Sequence, residues 1–145
     1  MNSSHKGHKG HDELTENQIA KLVLDAAFLV HTKLGSGLLE SVYEVVLAHE
    51  LPKAGLAVER QKPMPIIYDG IRFEEAFRSD LLVGGKIIVE LKSVSTTTPA
   101  HAKKLLTQLR LSGLKLGLLI SFGEVHLRDG IKRLINGTIG DECEF

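Results

Sequence analysis

Asp80, Glu90 and Lys92 are the residues of this chain whose types and spacing could carry a reaction. Hydrolysis of a phosphodiester with a divalent cation needs carboxylates to hold the ion and a group that positions or deprotonates the attacking water. The segment from Asp80 to Lys92 supplies both. In Glu90-Leu91-Lys92 the two-residue period of a strand puts Glu90 and Lys92 on one face and turns Leu91 into the core. Whether Asp80 joins them depends on the register of a hairpin at Gly84-Gly85. A two-residue loop opposes Asp80 to Val89 and buries its carboxylate among Ile87, Val89 and Leu91, a costly place for an unpaired charge. A three-residue loop, or an equivalent bulge, opposes Asp80 to Glu90 and sorts the two faces. Leu81, Val83, Ile87, Val89 and Leu91 then share one face, and Asp80, Glu90 and Lys92 share the other with Leu82 and Ile88. Two facing acids repel unless a cation lies between them, which makes a metal the natural third party. On this segment alone an edge hairpin with a surface ion pair is the competing reading, because an acid followed by Glu-x-Lys is a short pattern.

Two further residues bear on the choice. Glu40, placed on a helical wheel, falls in the stripe of Tyr43, Leu47, Leu51 and Ala54, where a carboxylate needs a partner; it also lies three residues after Gly37, where it could cap a helix start. Gln108 sits at the border of an apolar stripe on the same side as His101 and Lys104, suited to reach over a sheet edge toward a phosphate or a water. Lys103, Lys104, Arg110 and Lys115 form a basic flank that could track a phosphate backbone or be a solvated face.

The elements that must position these residues follow from pattern. Thr15 and Gln18 make a capping box for a helix running to about Lys33, with Ile19, Leu22, Val23, Ala26, Leu29 and Val30 at helical spacing. Gly35-Ser36-Gly37 breaks it, and a second helix is expected from Leu38 to Ala54, closed by Gly55. From Val58 to Lys92, β-branched and aromatic runs punctuated by Asp69-Gly70 and Gly84-Gly85 predict a three-stranded meander. Thr98 and Pro99 open a third helix over 99–112, with Ala102, Leu105, Leu106 and Leu109 on its buried stripe. Leu116 to Phe122 reads as a strand buried on both faces, and Val125 to Asn136 as a strand or short helix. The expected class is α/β of the α+β kind, a mixed sheet flanked by helices.

The whole chain sets bounds. Its 145 residues at 43% hydrophobic content suit one domain, expected over 14–137. Residues 1–13 read as a disordered tail: His5, His8 and His11 are interrupted by Gly7 and Gly10 and lack a completing acidic or cysteine ligand. Residues 138–145 read as an acidic tail in which Cys143, the one cysteine, is a bystander thiol. No run approaches the roughly 20 apolar residues of a membrane span, and no secretory signal opens the chain, so a cytoplasmic location is expected. Eighteen basic and eighteen acidic side chains cancel, which argues mildly against a nucleic-acid binder while leaving room for a local basic surface.

Gly37-Leu38-Leu39-Glu40-Ser41-Val42-Tyr43 resembles the signature of the bacterial GxxExxY proteins, which are assigned to the PD-(D/E)XK nuclease superfamily. The likeness extends over about residues 16–137 through Arg78-Ser79-Asp80-Leu81-Leu82-Val83, Glu90-Leu91-Lys92, Gln108-Leu109-Arg110-Leu111-Ser112-Gly113 and Gly117 to Gly123. It implies a restriction-endonuclease-like core with a mixed four-stranded sheet. It further implies Asp80 and Glu90 as metal ligands, Lys92 as the group that orients water and stabilises developing charge, and Glu40 and Gln108 as supporting residues, Glu40 toward the metal. The function then expected is a nuclease dependent on Mg2+, with Mn2+ as substitute, acting on DNA before RNA. A non-catalytic module that binds nucleic acid or protein on the same fold is the alternative, and a subunit active only in an assembly, or as a homodimer, is a third.

Overall fold

The computed structural model describes residues 14–139. The expected histidine-rich tail over 1–13 and Cys143 lie outside the described residues. Among the described residues no helix is long and apolar enough to cross a membrane.

The first helix, α1 (Glu16–Leu34), starts as its capping box predicts: Gln18 N–H donates to Thr15 Oγ1 at 3.1 Å, and Thr15 N–H donates to Gln18 Oε1 at 2.9 Å. A second helix, α2 (Glu40–Glu50), begins two residues later than Leu38 and runs into a 3-10 turn, Leu51–Ala54, closed by Gly55 in the left-handed region. Between the two helices the chain is pinned by Tyr43. Its hydroxyl donates to Gly35 O at 2.6 Å and accepts from Leu38 N–H at 3.2 Å, while its ring stacks on Phe122 with centroids 4.4 Å apart.

Strands β1 (Val58–Tyr68), β2 (Ile71–Val83) and β3 (Ile87–Lys92) form the predicted antiparallel meander. Helix α3 (Pro99–Ser112) then carries the chain over to β4 (Leu116–Ser121), which pairs parallel to β3. The stretch after β4 forms both of the elements between which its weak alternation left the choice: a 3-10 turn, Leu127–Gly130, and β5 (Ile131–Ile135), antiparallel to β4. The sheet therefore has five strands in the order β1-β2-β3-β4-β5, one more than the four expected. Pattern reading falls short at β5 because an edge strand of intermediate burial gives no continuous apolar run. Ile139 is buried in the larger core cluster, so packing continues past residue 137.

The β2–β3 register decides between the two hairpin loops. Val83 pairs with Ile87, Leu82 with Ile88 and Leu81 with Val89, leaving Gly84, Gly85 and Lys86 as a three-residue loop. Gly84 has φ of +62°, which favours glycine, and a Cβ there would stand 2.8 Å from Ile19 Cδ1, so any side chain would also push that methyl aside. One face of the sheet carries Leu81, Val83, Ile87, Val89, Leu91, Leu116, Leu118 and Ile120 against Ile19, Val23, Ala27 and Val30 of α1 and Tyr43 and Leu47 of α2. The other face packs Leu82, Ile88 and Leu119 beneath Leu105 and Leu109 of α3, with Met64 at the margin. Each fully buried side chain of this size contributes about 1.5–3 kcal/mol. Beyond the body of the sheet β1 and β2 continue as an arm that leaves Ile67, Tyr68, Ile71 and Phe73 exposed.

Candidate active site

Asp80, Glu90 and Lys92 lie on the α3 face of the sheet, in phase with Leu82 and Ile88. One step past the Leu81–Val89 pair, the Asp80 side chain takes up the strand edge itself: Leu91 N–H donates to its Oδ2 at 2.9 Å. A charged acceptor on a backbone N–H is a strong hydrogen bond, and it ties Asp80 of β2 to the Glu90–Lys92 segment of β3.

Glu90 is only 9% exposed. Its carboxyl is pushed up from 4.5 to about 7, first by burial and then by the negative charge of Asp80; Lys92 and Lys104 pull it down and Glu40 adds a little to the rise. The same interactions place all four of those groups within electrostatic reach of Glu90. Its Oε1 is buried with no hydrogen-bond partner, and so is Oε1 of Gln108. Two buried orphan acceptors in the layer between α3 and the sheet ask for a donor or a cation to satisfy them.

Gln108 is more deeply placed than a border position suggests, at 6% exposure between Leu105 and Leu109. His101, expected beside it, instead serves the start of α3: its Nδ1 accepts from Thr98 N–H at 3.1 Å in a capping box where histidine stands for the usual Glu or Gln. Lys103, Lys104, Arg110 and Lys115 are exposed, as a basic flank requires.

Glu40 corrects the helical-wheel reading. It is exposed, not part of the buried stripe that Tyr43 and Leu47 form, and Ala54 is exposed as well. The wheel fails there because Glu40 is the first residue of α2, at the end of the helix and beyond the packed layer. Nor does it cap: the helix starts after Leu39 with no side-chain cap hydrogen bond. It lines an open cleft of about 600 Å³ with Gly37, Leu38, Leu39, Ser41 and Ser93. Ser93, the residue after Lys92, donates to Leu38 O at 2.6 Å and so fixes this cleft against the end of β3.

These residues suit a hard divalent cation. Among the described residues no three His, Cys, Asp or Glu side chains converge to hold an ion unaided, so the expected trio of Asp80, Glu90 and Glu40 is not gathered as a cage. Two carboxylates are nevertheless the set on which Mg2+ typically relies, since it keeps several waters and takes phosphate oxygens from its substrate. A divalent cation beside Glu90 would satisfy its orphan oxygen and offset the burial and the Asp80 charge that raise its carboxyl.

Sequence patterns give no sign of a second set of polar residues behind Asp80. Buried Glu44 accepts from Arg60 Nε at 3.1 Å and from Gln61 Nε2 at 2.9 Å, and Gln61 Nε2 also reaches Asp80 Oδ1 at 3.3 Å. A plain two-residue turn at Asp69-Gly70 would set Gln61 opposite Arg78. The irregularity between Met64 and Ile66 shifts the ladder so that Arg60 pairs with Leu81 and Lys62 with Ser79, which brings Gln61 level with Asp80. A bulge of this kind has no sequence signal here beyond the two prolines, Pro63 and Pro65, that flank Met64.

Comparison with curated proteins and with solved structures finds no match. A family model described as the PD-(D/E)XK nuclease superfamily matches residues 17–134. That span runs from the first turn of α1 into β5 and includes every residue of the site just described, and the mixed five-stranded sheet between helices is consistent with a restriction-endonuclease-like fold. By that match over most of its length, the chain belongs to the PD-(D/E)XK nuclease superfamily.

Proposed function

We propose that this protein is a metal-dependent nuclease that hydrolyses phosphodiester bonds, of DNA before RNA, in the cytoplasm. The observation that carries the reading is that Asp80, tied to the Leu91 N–H, acts by its charge on buried Glu90 beside Lys92, with a Glu90 oxygen left without a hydrogen-bond partner. Asp80 and Glu90 would hold Mg2+, or Mn2+ in its place, and Glu40 would add negative charge from the mouth of the cleft. When bound, such an ion polarises the phosphoryl oxygens and lowers the pKa of water.

The protein's own groups do the rest. Lys92 orients the attacking water and stabilises the charge that develops on phosphorus oxygens as the P–O bond to the leaving strand breaks. Gln108 Oε1, buried and without a partner, accepts a hydrogen bond from that water or from one beside it. Lys103, Lys104 and Arg110 on the exposed side of α3 take the phosphates that flank the site, which supplies salt-sensitive affinity despite a net charge of zero.

The test is a panel of single- and double-stranded DNA and RNA, incubated with Mg2+, with Mn2+ or with chelator. Products are expected with either ion and none with chelator. Absence of cleavage throughout would favour a binding module on this fold; cleavage that ignores chelator would rule out a metal-dependent mechanism.

A further inference from the structure

Asp80 has both carboxylate oxygens engaged, Oδ2 by the Leu91 N–H and Oδ1 by the Gln61 amide. Each oxygen keeps a second lone pair, so the group is oriented without being used up. The Gln61 amide nitrogen gives its other hydrogen to Glu44, whose remaining oxygen is held by Arg60. Only the nitrogen of an amide can donate to two carboxylates, so the chemistry of the neighbours fixes which way Gln61 faces. Its backbone is unusual too: φ is +48°, in the left-handed region that glycine occupies freely and a glutamine does not. Strained residues of this kind persist where the surroundings over-determine them, and they gather at functional sites.

We propose that Gln61, backed by Glu44 and Arg60, is a positioning residue that holds the Asp80 carboxylate in place for the cation. The inference rests on the nuclease reading. Partners behind a metal ligand orient it and tune its affinity, and their loss weakens binding by roughly 10- to 100-fold. Gln61 also bridges the charges of buried Glu44 and half-buried Asp80 by giving each a donor, so removing the amide frees Asp80 to rotate away.

The left-handed backbone makes a discriminating test, because Gln61→Gly removes the amide while relieving the strain. Mn2+ binding to metal-free protein is measured by calorimetry, and thermal unfolding alongside, for wild type, Gln61→Gly and Asp80→Asn. The expected result for Gln61→Gly is a Tm close to wild type with Mn2+ affinity lowered roughly 10-fold or more. Unchanged affinity, or a loss of affinity that accompanies a lowered Tm, would overturn the positioning role. If Asp80→Asn itself binds Mn2+ as wild type does, the nuclease reading falls, and the positioning role with it.

Discussion

The two faces of the sheet are built to different ends. The α1–α2 face is covered by two helices and has a hydrocarbon core from Val83 and Val89 across to Leu118 and Ile120, with polar groups held in pairs such as Arg133 with Asn17 and Arg60 with Glu44. The α3 face is covered by one helix, whose Leu105 and Leu109 close over Ile88 and Leu119, and it also holds the polar residues Asp80, Glu90, Lys92 and Gln108. A single helix is too narrow to cover five strands. It is on this face that the chain places a carboxylate at 9% exposure, with a carboxyl raised to about 7. One face stabilises the fold. The other gives up some of that stability to hold groups that want a cation.

The contrast is testable from either side. Asp80→Asn on the α3 face should leave thermal unfolding near wild type and lower the cleavage rate by about 10³-fold, several kcal/mol of barrier. Leu118→Ala on the opposite face should do the reverse: a loss of about 2–5 kcal/mol in denaturant unfolding with the rate per folded molecule retained. Glu90 supplies a pH test on metal-free protein. Its folded value, about 7, lies above the 4.5 of an ordinary carboxyl, so the folded state keeps a proton that the unfolded state gives up. The stability associated with that proton is full below about pH 4.5 and is lost as pH rises to about 7, a fall of about 3 kcal/mol that Glu90→Gln should abolish. The smallest effect belongs to the exposed basic flank. Lys103→Ala or Arg110→Ala should each lower the slope of log affinity for nucleic acid against log salt by about 1, with saturated turnover unchanged.

Much of the site is legible in the sequence because hydrophobic sorting and chemistry make the same demand. The register that keeps Ile87, Val89 and Leu91 together also sets Asp80 beside Glu90, and the three-residue loop is the observed one. Helix boundaries follow from caps that local sequence encodes, such as Thr15 with Gln18 and Thr98 before Pro99. What escapes depends on tertiary context. Glu40 shares a helical phase with Tyr43, yet periodicity says nothing of where the packed layer ends. Strand β5 is recruited by the edge of β4, and its own pattern is too weak to announce it. Gln61 reaches Asp80 through a shift in the β1–β2 ladder, and Glu44 is buried because Arg60 and Gln61 meet it there.

Lys92 offers the most direct measurement, because it is the residue assigned to chemistry and to nothing structural. Single-turnover cleavage with saturating Mg2+ should be compared between wild type and Lys92→Ala purified in parallel, with Mn2+ binding and Tm recorded for both. A nuclease centred on Lys92 predicts a rate roughly 10²- to 10⁴-fold lower in the variant, with metal binding and stability retained. Equal rates in the two proteins, or no cleavage by wild type, would contradict it.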